Sequence, residues 1–237
     1  MTTPKTTLKL MSSMALRSVL NEVIPDFEKQ AGIAVEIKYG ATAKLSERIR
    51  GGARGDLVIA VAGSINELEA EGILQQGARV DLVTSEVAMA VKLGAPVPDI
   101  STQEAFIATL RASRSFVFSK QGASGMYFAS LLKRLGLDEE LRPKATVLAE
   151  GLTGELVARG EIELAVQQMS ELMQVSGINI FAKLPPAVQQ STTFSIGVFK
   201  DPTKPEVISA FNAFMRTPVV AAVYKRQGLD PITPVKG

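Results

Sequence analysis

Three residue types are missing from this chain of 237 residues: it has no histidine, no cysteine and no tryptophan. Their absence excludes nucleophiles that need an imidazole base, and metal sites built from imidazole or thiolate ligands. Disulfides are excluded too, so cysteine usage gives no information about the redox compartment. Any acid–base chemistry must use Asp, Glu, Lys or Tyr side chains. We therefore expect neither a metal nor a cofactor.

The chain also lacks an excess of either charge. Its 26 Lys and Arg nearly balance 24 Asp and Glu, and the pI near 8.8 reflects the missing histidine more than a basic surface. The basic residues are scattered and are not interleaved with aromatics, so we expect no nucleic-acid partner. No apolar run approaches the roughly 20 residues of a membrane span, so we expect no membrane insertion.

The first seven residues contain no apolar h-region of a signal peptide. If Met1 is the native start, we expect a cytoplasmic protein. If a signal peptide has been removed ahead of Met1, we expect a periplasmic one.

Strand and helix patterns alternate along most of the chain, because short apolar runs are followed by amphipathic segments of helical period. Strands are predicted over 8–11, 34–39, 56–60, 80–92, 115–118, 146–148, 164–167 and 193–199. Helices are predicted over 15–30, 44–50, 65–71, 102–113, 126–135, 154–159, 206–215 and 219–227. This order predicts an α/β fold with parallel sheets covered by helices on both faces. Ligands of such sheets bind beyond the carboxyl ends of the strands.

The length of the chain and its two longer extended segments predict two lobes. A single domain usually has roughly 100–200 residues, and the segments near 83–91 and 193–199 can carry the chain into a second lobe and back. We expect lobe 1 at 1–83 and 195–237, and lobe 2 at 84–194.

Polar strand-to-helix junctions are the segments with the most chemistry. Small hydroxyl residues can cap a helix there, and the N–H groups of its first turn form an anion site. Taken singly, the Ser12-Ser13 junction is better explained as an ordinary cap and Lys44 as a solvated residue, whereas Arg17 could face either a ligand or solvent. The Gly- and Ser-rich junction at 119–127 favours a ligand site over a plain flexible loop. Four such junctions, at 12–13, 40–44, 119–127 and 150–154, together favour a small anion as the ligand. The predicted ligand-binding residues are Ser12, Ser13, Arg17, Thr42, Lys44, Ser119, Lys120, Ser124, Gly125, Gln168 and Ser170.

Adjacent amides, Gln167 and Gln168, end a predicted strand. A buried amide needs hydrogen-bond partners, and we expect a polar ligand to supply them. A proton-transfer enzyme would need a base whose pKa is moved toward neutrality by burial. The candidate bases are Glu150, Glu171, Lys44, Lys120 and Tyr127.

The chain resembles the type 2 periplasmic solute-binding proteins, in particular the molybdate-binding-like group. The matching segments are the Ser12-Ser13 junction, 51–59 (GGARGDLVI), 122–136 (GASGMYFASLLKRLG), 157–163 (VARGEIE) and 224–229 (YKRQGL). The resemblance implies two doubly wound, Rossmann-like lobes, a two-strand hinge, and an oxyanion held between the lobes by hydroxyls and backbone N–H groups. We also expect a monomer, and an ABC transporter permease as partner if the protein is exported.

Two departures from this group concern the ligand. Molybdate-binding members typically have a Tyr where this chain has the stretch around Gln167-Gln168, and their second junction is commonly Ser-rich, whereas this one contains Thr42 and Lys44. Ammonium groups pair with separate carboxylates, so we expect an organic polycarboxylate rather than molybdate. The Gln-Gln-x-Ser-Glu-Leu string also resembles a branch that includes an aconitate isomerase, which moves a proton along an allylic tricarboxylate without a cofactor. Two functions stay open: a binding protein, and an isomerase on the same scaffold.

Overall fold

A computed structural model describes residues 6–232. Residues 1–5 and 233–237, which the sequence analysis assigns to lobe 1, lie outside the described residues. The chain divides into two compact units. Unit 1 consists of the chain up to Thr84 and the chain from Thr192 onward, and unit 2 is Ser85–Ser191. The sequence analysis places the corresponding boundaries at 83/84 and 194/195.

The elements of the chain follow one another as strand and helix in both units. The first part of unit 1 contains β1 (Thr7–Ser13), α1 (Arg17–Ala31), β2 (Ala34–Gly40), α2 (Thr42–Arg50), β3 (Leu57–Val61) and α3 (Ala62–Ala70), and ends within β4 (Val80–Lys92). Unit 2 continues with α4 (Gln103–Ala112), β5 (Phe116–Ser119), α5 (Ala123–Arg134), α6 (Asp138–Leu141), β6 (Ala145–Leu148), α7 (Thr153–Ala158), β7 (Leu164–Gln168), α8 (Met169–Leu172) and β8 (Ile178–Lys183). The chain returns to unit 1 through β9 (Ser191–Val198), α9 (Pro205–Phe214), α10 (Pro218–Arg226) and β10 (Asp230–Pro231).

The sheet of unit 1 has the strand order β2-β1-β3-β9. Strand β1 runs parallel to β2 and β3, and β9 runs antiparallel to β3. Side chains alternate across a strand, so Leu8 and Leu10 of β1 pack in one apolar cluster with α1, α9 and α10, while Met11 packs in another with α2 and α3. The parallel strands of unit 1 therefore end at one edge, with helices on both faces.

The sheet of unit 2 has the strand order β4-β7-β5-β6. Strand β5 runs parallel to β6 and β7, and β4 runs antiparallel to β7 and β8. Phe116 and Phe118 of β5 pack with α4 and α5, whereas Val117 packs on the other face with α7 and α8. The carboxyl ends of β5, β6 and β7 thus share one edge, from which α5, α7 and α8 begin.

The predicted α/β class is confirmed. The structure adds α6, α8, β8 and β10, which the sequence analysis does not predict. It also begins α2 at Thr42 and α5 at Ala123 rather than at 44 and 126. Within residues 6–232 no single helix is long and apolar enough to cross a membrane; α9 and α10 pass that test only as a pair bent by 59°.

Candidate functional site

The end of β1 carries two buried hydroxyl groups that are engaged within unit 1. Ser12 donates to the Ser13 carbonyl at 3.2 Å, and the Ser13 hydroxyl accepts from the Ala15 N–H at 3.3 Å. Ser13 thereby caps a single 3-10 turn that precedes α1. The capping role predicted from the sequence is present at this junction. In the register of the sheet, Ser13 at the end of β1 pairs with Gly40 at the end of β2.

The first turn of α2 carries a hydroxyl of a different kind. The extended Ala41 precedes the helix without a side-chain cap, so Thr42 lies inside the first turn. Thr42 is 2% exposed, and its hydroxyl has no hydrogen-bond partner among residues 6–232. Ser46, one turn further on the same face, is also buried with no partner for its hydroxyl within that range. The sequence analysis missed Ser46, although its spacing of four residues from Thr42 could have indicated it.

Two cations lie near these junctions of unit 1. Lys44 is half-buried in α2, and no ion pair found among the described residues includes it. Arg17 is exposed at the start of α1. Burial raises the pKa of the Tyr39 phenol to about 12, and the nearby Arg17 guanidinium opposes this rise. Unit 1 therefore has an ammonium group in the same helix, α2, as its two unpartnered hydroxyls.

In unit 2 the end of β5 is packed tightly against the start of α5. A Cβ atom added to Gly125 would lie 1.7 Å from the Ser119 carbonyl oxygen and 2.5 Å from its Oγ, and one added to Gly122 would also lie 2.5 Å from that Oγ. The backbone at the start of α5 therefore approaches the end of β5 too closely for a side chain at position 122 or 125, which explains why both residues are glycine. This close approach also places the Ser119 hydroxyl against the first turn of α5.

The hydroxyls of Ser119 and Ser124 are both buried at this turn. Ser124, the second residue of α5, is fully buried, and neither hydroxyl has a hydrogen-bond partner within the described chain. Lys120, between them, is exposed, and its backbone N–H donates to the Leu148 carbonyl at 2.8 Å. The 12-residue helix α5 thus has one buried, unpartnered hydroxyl in its first turn and a second, from Ser119, packed against that turn, with the exposed Lys120 in the connecting segment.

The prediction that a ligand supplies the partners of Gln167 is wrong. Its Oε1 accepts from both the backbone N–H and the hydroxyl of Thr153, each at 2.8 Å. Its side chain also hydrogen-bonds the Glu171 carboxylate. Gln167 therefore joins the start of α7 to α8 inside unit 2. Gln168 is buried as well, and its backbone N–H donates to Glu171.

Glu171 is the carboxyl group whose environment is most altered in this region. It lies in α8, is only 7% exposed, and takes part in none of the ion pairs among residues 6–232. Burial raises its pKa to about 7, against the opposing effect of the hydrogen bonds from Gln168 and Gln167. The hydroxyl of the adjacent Ser170 is buried without a partner among the same residues.

The other candidate bases are in different surroundings. Glu150 is exposed in the bend after β6. The Tyr127 hydroxyl donates to the Val188 carbonyl at 2.6 Å, which engages its proton. Lys120 is exposed. Glu171 is thus the deeply buried carboxyl among the candidate bases, at 7% exposed.

Four of the hydroxyls predicted from sequence thus share one property. Each is buried and has no hydrogen-bond partner among residues 6–232. Each also lies either at the carboxyl end of a parallel strand or in the first turn of the helix that follows it. The four residues are Thr42, Ser119, Ser124 and Ser170. Leaving a buried polar group unsatisfied costs about 1–3 kcal/mol, and native proteins contain only a few such groups. In each unit these hydroxyls at the strand ends are candidate donors to a ligand that has acceptor oxygens.

The same described residues contain no group of three or more acidic side chains placed to hold a metal ion. Apart from the Glu171 carboxyl, the polar groups described at the strand ends are hydroxyls, amides and ammonium groups, which suit an anion.

Residues 8–230 match the family described as bacterial extracellular solute-binding proteins. The chain belongs to this family. Two solved structures of binding proteins are similar to it in fold. The periplasmic molybdate-binding protein of Azotobacter vinelandii superposes with a TM-score of 0.77 at 19% identity, over 96% of this chain and 100% of that one. The sulfate-binding protein SubI of Mycobacterium tuberculosis superposes with a TM-score of 0.76 at 16% identity, over 97% and 88%.

At these identities the structural likeness shows the fold alone, and it confirms the predicted type 2 periplasmic binding protein fold. A relative with higher identity is an aconitate isomerase from Pseudomonas sp., 34% identical over 235 residues that cover 97% of this chain and 89% of the relative. This solute-binding protein is therefore similar in sequence to an enzyme.

Proposed function

We propose that this solute-binding protein binds a small organic polycarboxylate at the carboxyl ends of its parallel strands. The observation that supports this most strongly is the set of four buried, unpartnered hydroxyls described above. Each can donate one hydrogen bond to an oxygen of the anion. In α2 and α5 the N–H groups of the first turn add to this donor set.

The cations favour a polycarboxylate over a tetrahedral oxyanion. Lys44 in unit 1 and Lys120 in unit 2 take part in none of the ion pairs found within residues 6–232. An ammonium group is a compact point charge that pairs with one carboxylate at a time. Each ammonium group therefore suits a ligand that carries carboxylates, and the 34% identical aconitate isomerase is named for a compound with several of them.

Titration calorimetry tests this proposal with citrate, cis-aconitate, trans-aconitate, molybdate and sulfate. We expect a tricarboxylate to bind more tightly than molybdate or sulfate. Thr42→Val in unit 1 and Ser124→Ala in unit 2 should each weaken binding of that tricarboxylate about 10-fold or more, because a hydrogen bond to a charged group contributes about 1.5–3 kcal/mol.

Ser113→Ala is the matched control. Ser113 is also buried in unit 2, but its hydroxyl donates to the Leu110 carbonyl at 2.9 Å, and it precedes β5 rather than following it. Its substitution should leave affinity unchanged. Tight molybdate binding without tricarboxylate binding would refute the polycarboxylate assignment, and unchanged affinity in both hydroxyl variants would refute the site.

A second function is favoured by the sequence relative and by Glu171. We propose as this second candidate that the bound polycarboxylate is isomerised by proton transfer without a cofactor. A buried carboxyl with a pKa of about 7 can both accept and donate a proton near neutral pH. The test is incubation with cis- or trans-aconitate in deuterated water, followed by proton NMR. Isomerisation with deuterium incorporation supports the enzyme, whereas binding with neither change leaves a binding protein.

A further inference from the structure

The geometry points to Glu171 as the group that accepts and returns the substrate proton, with Gln167 and Thr153 as the residues that position its carboxylate. This inference rests on the second proposed function and names the residue that would carry it. It is drawn from the buried hydrogen-bond chain in unit 2, which no sequence pattern predicts.

The chain of hydrogen bonds fixes the carboxylate from one side. Thr153 donates twice to the Oε1 atom of Gln167, which sets the orientation of the amide and directs its N–H₂ group away from Thr153. Burial raises the pKa of the Glu171 carboxyl, and hydrogen bonds from the Gln168 backbone and the Gln167 side chain act against that rise. Both donors stabilise a carboxylate rather than a carboxylic acid, so they hold the form that can accept a proton.

A helix cap is the ordinary explanation for part of this arrangement. Glu171 is the third residue of α8, and a glutamate at that position often reaches back to the N–H of the capping residue. That role explains the hydrogen bond from Gln168. The capping role does not require the second donor, Gln167. It does not require deep burial either, since a glutamate can cap a helix whose start is exposed to solvent. Burying a carboxyl without a cation costs stability. A role in proton transfer explains why the carboxyl is buried despite that cost.

Glu171 lies at the strand edge of unit 2 that also carries hydroxyls of the proposed site. Ser170 precedes it and has a buried hydroxyl with no partner among residues 6–232. Strand β7, which leads into α8, is parallel to β5, whose last residue is Ser119. Because parallel strands end at the same edge of a sheet, the carboxyl group and these hydroxyls belong to one edge of unit 2.

The chemistry balances with no further reactant. The Glu171 carboxylate accepts a proton from a methylene carbon that lies next to a carboxylate and one bond from a carbon–carbon double bond. The C–H electron pair enters the allylic system, and the double bond moves by one position. The proton on Glu171 is then returned to the former alkene carbon, so a bond to hydrogen is broken and one is made. Nothing is oxidised or reduced.

The experiment compares the full-length protein with Glu171→Gln. We expect isomerisation and deuterium incorporation from trans-aconitate to fall by about 10²–10⁴-fold, the usual effect of removing a general base. Calorimetric affinity for trans-aconitate should stay within about threefold, because the amide keeps the size of the side chain and an acceptor oxygen. Glu155→Gln, at an exposed position of α7, is the control and should leave both quantities unchanged.

Thr153→Val tests the positioning role. It removes one donor to Gln167, so kcat should fall several-fold with KM unchanged, and Thr153→Ser should restore it. Glu171→Asp, which keeps the charge but withdraws the carboxylate, should also lower kcat and serves if Glu171→Gln fails to fold. A wild-type rate in folded Glu171→Gln, or loss of activity in Glu150→Gln instead, would overturn the inference. Binding without any exchange in the wild type would overturn it while the binding function stands, and absence of binding would overturn both.

Discussion

Glu171 makes the stability of the protein depend on pH in an unusual direction. Burial raises the pKa of this carboxyl from its ordinary value of 4.5 to about 7. Between these two values the folded state keeps the proton and the unfolded state has lost it. Because the folded state then binds more protons, the free energy of unfolding decreases as pH rises through this window. Most carboxyl groups that are paired in a native structure have the opposite effect.

The size of the effect follows from the same two values. One pKa unit corresponds to about 1.36 kcal/mol, so the move from 4.5 to about 7 corresponds to about 3 kcal/mol for this buried group. The contribution is fully present below pH 4.5 and is lost by about pH 8. Glu171→Gln has no titrating group at this position. The free energy of unfolding of Glu171→Gln, measured relative to that of the wild type, should therefore rise by about 3 kcal/mol from pH 4.5 to pH 8.

Urea unfolding followed by circular dichroism suits this measurement, because the chain has no tryptophan for fluorescence. The quantity of interest is the difference between wild type and Glu171→Gln at each pH, in which the contributions of all other titrating groups cancel. A Glu171→Gln difference that changes by less than about 0.5 kcal/mol over this range would refute the buried, protonatable state of Glu171.

Two further predictions concern the framework of the site. Gly125→Ala should lower the unfolding free energy by about 3 kcal/mol, since its Cβ would lie 1.7 Å from the carbonyl that ends β5; Gly63→Ala, in an open position, should leave thermal stability equal or slightly higher. Lys204→Met removes the ammonium that contacts both oxygens of the mostly buried Asp56 at 2.9 and 3.1 Å. It should cost about 1–3 kcal/mol in urea unfolding, whereas Arg114→Met at a 90% exposed ion pair should cost almost nothing. An unchanged Gly125→Ala melting temperature or Lys204→Met urea midpoint would contradict the corresponding packing or ion-pair argument.

The elements that the sequence predicts well are those whose pattern is local. The helix α1 carries an apolar face of helical period and ends at Gly32, whose φ of 69° suits glycine. Strand β8 has no such pattern, because all but its last residue are partly buried rather than alternating. It is defined by antiparallel pairing with β4, including a register shift between Met89 and Ala90. That pairing is non-local, so a single segment of sequence does not reveal it.

The site shows the same division between local and non-local information. Hydroxyls after strands could be found from sequence, since small polar residues between a strand and a helix form a local pattern. The partners of Gln167 could not, because Thr153 lies 14 residues away and meets the amide only when α7 packs beside β7. For Glu171, the base rate for an acidic residue is solvation or an ion pair, and only the packed structure shows its burial.

What separates the hydroxyls available to a ligand from those that serve the fold is their position relative to the helix. Ser13 precedes its turn and gives its oxygen to the Ala15 N–H, which is the usual use of a serine at that place. Thr42 and Ser124 lie inside the first turn, after Ala41 and Gly122, which have no side chain able to cap. Because these two hydroxyls are not consumed by capping, they stay available to donate. The absence of a capping side chain at Ala41 and Gly122 thus costs helix stability. In return, the hydroxyls of Thr42 and Ser124 remain available as donors to the proposed anion.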